Sequence, residues 1–242
     1  MSNSQVKGKI NSIQTLGTLD GPGVRFVVFT QGCNLRCGCC HNPDTWNMSA
    51  GTEYTAIELA DKAQRYSTYF GKEGGVTVSG GEPLLQAGFV KELFLECHNR
   101  SINTCLDTSG SILNDDVKDL LEHTDRVLLD IKYMTDEMYV KYVGCGIKTP
   151  LEFLEYINEK NIPVTIRQVI IPTLNDSEEN IDFINSLVSK YRCIDNVELL
   201  PFKKICKVKY DNMGIEFPFE VYDQPSKELM DSLNKRLIEV QK

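Results

Sequence analysis

The sequence predicts an α/β protein, an open partial (β/α)6 barrel, with a doubly wound sheet as the second choice. Two observations carry this. Short β-type runs alternate with amphipathic helical segments along the chain. Such alternation gives parallel strands joined by right-handed crossovers, with helices on the outer face. There are about six such units, fewer than the eight of a closed barrel. No low-complexity segment, long linker or fixed-length repeat interrupts them, so residues 1–242 read as one domain.

The strand candidates are RFVVFT (25–30), GVTVSG (75–80), INTCLDT (102–108), RVLLDIK (126–132), VTIRQVII (164–171) and VELLPF (197–202). Each is a β-branched or aromatic run of strand length. The helical segments between them are 55–69, 88–99, 115–123, 150–160 and 177–190, and residues 227–241 read as a closing helix. Thr55 with Glu58 fits a capping box, in which each side chain satisfies a backbone N–H at the helix start. Thr149, Pro150 and Glu152 combine that box with proline at the first helical position. Asp176 or Ser177 caps the next helix, whose Ile181, Ile184, Leu187 and Val188 form one apolar stripe.

Hydrophobic residues make up 41% and charged residues 25%, as in ordinary globular proteins. The formal charge of −8 argues against a nucleic-acid footprint, which needs a basic face. No early apolar run reads as a signal peptide and nothing approaches a membrane span. Nine cysteines without secretion features point to a reducing cytoplasm, and an odd number cannot form a complete disulfide set within one chain.

In either architecture ligands gather at the carboxyl edge of the strands. The stretch QGCNLRCGCCHNP (31–43), SGGEP (79–83), DTSG (107–110), DIK (130–132) and PFKK (201–204) all follow strand candidates there. The first packs four cysteines into eight positions, Cys33, Cys37, Cys39 and Cys40. A structural zinc site normally uses two separated cysteine pairs. Here the remaining five, Cys97, Cys105, Cys145, Cys193 and Cys206, are scattered singly and read as small buried side chains. Cys33, Cys37 and Cys40 have the spacing CxxxCxxC, and three thiolates on a cubane leave one iron open. A zinc-stabilised binding module using all four cysteines is the alternative from another class. The adjacent Cys39 and Cys40 diverge along extended backbone, which makes that set awkward.

GCNLRCGCCHNPDTW resembles the cluster motif of radical S-adenosylmethionine enzymes, and DGPGVRF before it is similar to the activating enzymes of glycyl radical enzymes. VTVSGGEPLLQ, TCLDTSG, LLDIK and NVELLPF extend the resemblance over almost the whole chain. Residues 47–74 contain no cysteine, which favours the short type without an inserted ferredoxin-like segment.

The resemblance implies a [4Fe-4S] cluster on Cys33, Cys37 and Cys40 and S-adenosylmethionine on the free iron. One electron passes to the sulfonium, the bond to the adenosyl carbon breaks, and the resulting radical takes a hydrogen atom from a glycine of the partner. The implied partner is a glycyl radical enzyme, pyruvate formate-lyase first among them. A different glycyl radical enzyme and a small-molecule radical transformation are the other options. A low-potential flavodoxin or ferredoxin is the implied electron donor, and the setting is anaerobic metabolism in the cytoplasm.

Carried over residue by residue, Gly80 and Gly81 contact the methionine amino group. Asp130, Ile131, Lys132, Arg167, Lys203, His41 and the backbone at Cys39 and Cys40 complete the cofactor set. Asp107, Thr108 and Asp130 are the implied ligands of a monovalent cation, and Asp20 is placed where the partner's glycine loop enters. Without the resemblance, SGGEP is an ordinary turn, the aspartates are caps, His41 is a surface histidine and Arg167 is half of a structural ion pair. Two positions depart from the family pattern: Cys39 stands where an aromatic is expected and Lys203 where a histidine is expected.

Overall fold

A computed structural model of the chain describes residues 6–240. The strands are β1 (Lys7–Gly17), β2 (Arg25–Thr30), β3 (Thr52–Thr55), β4 (Gly75–Gly80), β5 (Asn103–Thr108), β6 (Arg126–Asp130), β7 (Val164–Ile170) and β8 (Ile194–Pro201). The helices are α1 (Ala56–Gln64), α2 (Ser67–Phe70), α3 (Ala87–His98), α4 (Asp115–Leu121), α5 (Asp136–Tyr142), α6 (Lys148–Glu159), α7 (Glu178–Lys190), α8 (Lys207–Met213) and α9 (Lys227–Arg236). The strands hydrogen-bond in the order β3-β1-β2-β4-β5-β6-β7-β8, an open sheet. The pairs β2–β4, β4–β5 and β7–β8 are parallel, whereas β1 runs antiparallel to both β2 and β3.

The α/β class and the open sheet are as expected, and the six expected strands are β2 and β4 to β8. The two additional strands lie at one edge. In β1 burial alternates along KGKINSIQTLG, so one face is wet and the run carries too few apolar residues to register as a strand. In β3 the four residues TEYT are exposed or half-buried.

The chain forms two compact units, one of Met1–Asn34 with Thr45–Leu128, the other of Leu35–Asp44 with Leu129–Lys242. In the first, β4 is buried along almost its whole length, which explains its continuous apolar run. Thr55 and Glu58 form the expected capping box on α1, but the expected helix 55–69 is two, with a break at Arg65 and Tyr66.

The first unit also contains a fully buried arginine, the one inside DGPGVRF. Arg25 donates from Nε to Thr77 Oγ1 at 3.0 Å, and from its terminal nitrogens to the carbonyls of Glu73 and Val76 and to Asn103 Oδ1. Thr77 Oγ1 in turn donates to the Asp20 carbonyl at 2.7 Å. The guanidinium thus meets a complete set of acceptors, as its burial demands.

In the second unit Ile181, Ile184 and Leu187 of the expected α7 stripe are buried and Val188 is half-buried. Ile181 and Ile184 pack with Ile170, Leu199 and Leu233. Ser177 caps α7 through Asn180 N–H, while Asp176 accepts from Thr173 N–H instead. The cap expected at Thr149 does not form. Helix α6 starts at Lys148, its N-cap Ile147 makes no side-chain bond, and the Ile147 N–H donates to Asp136 Oδ1. Pro150 still falls in the first turn, where its missing N–H leaves nothing unpaired. The closing helix ends at Arg236, because Ile238 N–H leaves the helical path for Asn185 Oδ1. Gln241, the end of the expected helix, lies outside the described residues. Among the described residues no helix is long and apolar enough to cross a membrane.

Replacing Arg25 by methionine takes the donor from two buried acceptors, Thr77 Oγ1 and the Val76 carbonyl, and from two part-buried ones, the Glu73 carbonyl and Asn103 Oδ1. Urea denaturation should show Arg25→Met destabilised by about 2 kcal/mol or more, since each unsatisfied buried group costs roughly 1–3 kcal/mol.

Candidate active site

In the first unit the SGGEP loop is knitted by backbone to the chain leading into Cys33. Gly81 N–H donates to Thr30 O at 3.0 Å, Glu82 N–H to Gly32 O at 2.9 Å, and Gly32 N–H to Thr45 O at 2.7 Å. This approach explains both glycines. Gly80 has φ of 112°, and a Cβ there would stand 2.3 Å from Thr30 N. A Cβ on Gly81 would stand 2.0 Å from Gly32 O. The ordinary-turn reading of SGGEP therefore holds as well, since the glycines are required before any ligand is considered.

Glu82, which sequence reasoning passed over, is buried and joins this loop to DTSG. Its carboxylate accepts from Thr108 Oγ1 at 2.6 Å, Leu84 N–H at 3.1 Å, Ser109 N–H at 3.1 Å and Ser109 Oγ. Burial pushes its pKa up, and the bonds from Ser109, Thr108 and Leu84 work against that rise. Its signal was within reach: an acidic residue followed by proline, directly after a buried strand. Asp107 is likewise buried and accepts from Ser79 Oγ at 2.6 Å. Asp20 lies nearer the amino-terminal half of β4, where its carbonyl meets Thr77. A Cβ on the adjacent Gly21 would stand 3.4 Å from Cys105 Sγ, on β5 two residues before Asp107.

In the second unit Cys37 to Cys40 form a β-turn, closed by Cys40 N–H on Cys37 O at 3.1 Å. The extended backbone expected at Cys39 and Cys40 is therefore replaced by a turn, with Cys37 and Cys40 at its ends and Cys39 at a corner. The end of α5 holds it: Gly38 N–H donates to Tyr142 O and Arg36 N–H to Val143 O, both at 2.9 Å. Gly38 has no room for a side chain, because a Cβ would stand 2.0 Å from the Phe219 ring. Beyond the turn, Asn42 N–H points at Cys40 Sγ at 3.4 Å and Tyr210 OH donates to Cys40 O at 3.2 Å. Burial pushes the Cys39 and Cys40 thiols up to about 12.

His41 is half-buried, its Nε2 lying 3.0 Å from Lys203 O, and burial lowers its pKa. The histidine therefore packs against its own chain instead of facing solvent, and Lys203 enters through its carbonyl while the residue itself is exposed. Lys209 Nζ ties α8 to this segment through Asn42 Oδ1 and Asp44 Oδ1, each at 2.9 Å.

Asp130, Lys132 and Arg167 meet as a largely buried ion cluster. Asp130 Oδ2 pairs with Lys132 Nζ and Oδ1 with Arg167 Nε at 3.3 Å. Burial opposes charge on Asp130, but the ammonium and guanidinium outweigh it and hold its pKa below the ordinary value of 3.8. Burial likewise opposes charge on Lys132, and Asp130, followed by Cys37 and Cys39, carries its pKa well above 10.5. The structural-pair reading of Arg167 is thus observed. The Lys132 backbone is clamped on both sides: its N–H donates to Tyr139 OH at 2.9 Å, and its carbonyl accepts from the Gln168 and Asn175 amides at 3.4 Å. Sequence reasoning did not find Tyr139, Gln168 or Asn175. Ile131 is buried and donates its N–H to Arg167 O at 2.9 Å.

Cys97, Cys105, Cys193 and Cys206 are buried as expected, while Cys145 is half-buried, and none of the nine cysteines is joined in a disulfide. Among the described residues no three His, Cys, Asp or Glu side chains converge on a single metal ion. The three corners of a cubane set thiolates further apart than the ligands of one ion.

The Radical SAM superfamily model matches residues 27–184, and the chain belongs to that superfamily. Along nearly its full length the chain is similar to enzymes of one kind. It is 42% identical to the pyruvate formate-lyase-activating enzyme of Clostridium pasteurianum over 97% of this chain and 99% of that protein. It is 40% identical to the pyruvate formate-lyase 1-activating enzyme of Escherichia coli strain K12, covering 93% of each. Two solved structures share the fold. A domain of a pyruvate-formate lyase-activating enzyme from Bacteroides vulgatus has a TM-score of 0.56 at 22% identity, over 68% of this chain and 92% of that one. A radical SAM methyltransferase from Sphaerobacter thermophilus has a TM-score of 0.64 at 18% identity, over 88% and 63%.

The ion cluster sets a pH window. Asp130, with a lowered pKa, contributes stability that is full above 3.8 and lost as pH falls through its folded value. Lys132, with a raised pKa, contributes stability that is full below 10.5 and lost as pH rises through its folded value. At neutral pH Asp130→Asn should cost about 3–5 kcal/mol, because it removes the carboxylate that both largely buried cations face. In urea denaturation the gap between wild type and variant should close as pH is lowered below 3.8.

Proposed function

We propose that this protein activates a glycyl radical enzyme, pyruvate formate-lyase, through a [4Fe-4S] cluster and S-adenosylmethionine. The observation that carries the proposal is the near-full-length similarity to activating enzymes for that lyase, with CNLRCGCC inside the stretch matched by the superfamily.

The residues fit the cluster. Cys33, Cys37 and Cys40 are its ligands, and the turn explains how two of them share one loop while Cys39 stays at a corner. A thiol pushed up to about 12 by burial, as at Cys40, does not ionise unaided at neutral pH; ligation by iron supplies the missing positive charge. The Asn42 N–H at Cys40 Sγ suits a thiolate acceptor. When bound, the cluster and S-adenosylmethionine supply reductive cleavage of the sulfonium and hydrogen-atom abstraction from a glycine of the partner.

The remaining residues bind and orient. Gly80 and Gly81 present backbone without Cβ atoms to the methionine amino group. Lys132 and Arg167 supply positive charge toward the methionine carboxylate or ribose, held in place by Asp130. His41, Ile131, Lys203 and the backbone at Cys39 and Cys40 are assigned to the adenosyl portion. Both Asp130 oxygens already face cations. Asp107 and Thr108 are therefore the better oxygen donors for a monovalent cation. Asp20 is assigned to the partner's glycine loop, and a low-potential flavodoxin or ferredoxin is the electron donor. Nine cysteines without a disulfide suit a reducing, anaerobic cytoplasm.

Anaerobic reconstitution and product analysis test this reading. The wild-type protein and Cys39→Ala should bind iron and sulfide and release 5′-deoxyadenosine from S-adenosylmethionine on reduction. Cys33→Ala, Cys37→Ala and Cys40→Ala should each lose both properties. Loss with Cys39→Ala and retention with Cys37→Ala would overturn the assignment, and zinc bound by four thiolates would replace the enzyme with a binding module.

A further inference from the structure

Tyr133 follows β6, is 2% exposed, and its hydroxyl has no hydrogen-bond partner among the described residues. A phenol buried in this way has given up water without replacement, which native interiors rarely tolerate. Its ring is fixed by Tyr142, with centroids 5.4 Å apart, and by Tyr139, edge-on at 6.3 Å. Tyr142 is also the residue whose carbonyl holds Gly38 of the cysteine turn. The ring therefore packs on the element that carries the turn.

Burial raises the pKa of the phenol most, and the charged groups that act on it next are Cys39, Cys37 and Lys132. The Lys132 ammonium is committed to Asp130 and has no lone pair to accept a bond. What the hydroxyl lacks is an acceptor, and its ring packs on the residue whose carbonyl holds the cysteine turn.

We propose that the Tyr133 hydroxyl donates a hydrogen bond to a sulfur of the iron–sulfur group held by the Cys37–Cys40 turn, and so raises its reduction potential. The inference rests on the proposed function, since it needs the cluster to be present. Reduction adds negative charge that is shared by the sulfurs, so a donor stabilises the reduced state more than the oxidised one. Tyr133 is thus a positioning residue that makes the cluster easier to reduce, and it touches no reacting atom of the substrate.

The test is a potentiometric titration of the anaerobically reconstituted full chain, followed by electron paramagnetic resonance, with wild type beside Tyr133→Phe. The variant keeps the ring contacts and should assemble the same iron and sulfide. Its midpoint should move to more negative potential. At the wild-type midpoint the ratio of reduced to oxidised cluster should fall roughly tenfold, the size of one hydrogen bond to a charged acceptor. Equal midpoints would overturn the inference. So would an unchanged midpoint with weaker S-adenosylmethionine binding, which would assign the hydroxyl to the cofactor. If Tyr133→Phe does not fold, wild-type protein made with 3-fluorotyrosine replaces it. The more acidic phenol should raise the midpoint, and no change would be equally contrary. A wild-type chain that assembles no iron–sulfide absorbance would mark failure of the proposed function itself, a result distinct from equal midpoints.

Discussion

Two carbonyls at the end of α5 hold the cysteine loop. A helix leaves its last carbonyls without intrahelical partners, and here those of Tyr142 and Val143 accept from Gly38 and Arg36. The helix end and the turn satisfy each other. The turn therefore has a fixed place in its unit through main-chain bonds. Gly38 is indispensable for a second reason, since the Phe219 ring occupies the space where a side chain would start.

The same economy recurs in the first unit, where main chain meets main chain between SGGEP and the residues before Cys33. Side chains then act as braces. Glu82 gathers Thr108, Ser109 and Leu84, so the loops after β4 and β5 are tied to each other. In the second unit Asp130 performs the matching task for Lys132 and Arg167, while Tyr139, Gln168 and Asn175 clamp the backbone of Lys132. The motif loops are in this way set by bonds between residues distant in the chain.

This division explains what could be read from the residues alone. The runs RFVVFT and GVTVSG coincide with β2 and β4 because burial on both faces demands continuous apolar sequence. Strand β1 escaped because only one of its faces is covered, and α5 because seven residues with a single buried side chain, Tyr139, carry no stripe. A local signal succeeded where its partners are adjacent, as at Thr55 and Glu58, and failed at Thr149, where a distant bond from Ile147 to Asp136 moved the helix start. The cluster motif was legible because its chemistry is written in one short loop. Tyr133 and Asn175 were not, because their roles depend on atoms far away in the chain.

The claim at the centre is that this chemistry is directed at a glycine of another protein. Mixing the reduced, reconstituted protein with S-adenosylmethionine and pyruvate formate-lyase, and recording electron paramagnetic resonance, addresses it most directly. The expected result is a glycyl radical signal on the lyase that is absent when Cys40→Ala is used. A protein that cleaves S-adenosylmethionine yet leaves the lyase without that signal would contradict the assignment of pyruvate formate-lyase as its partner.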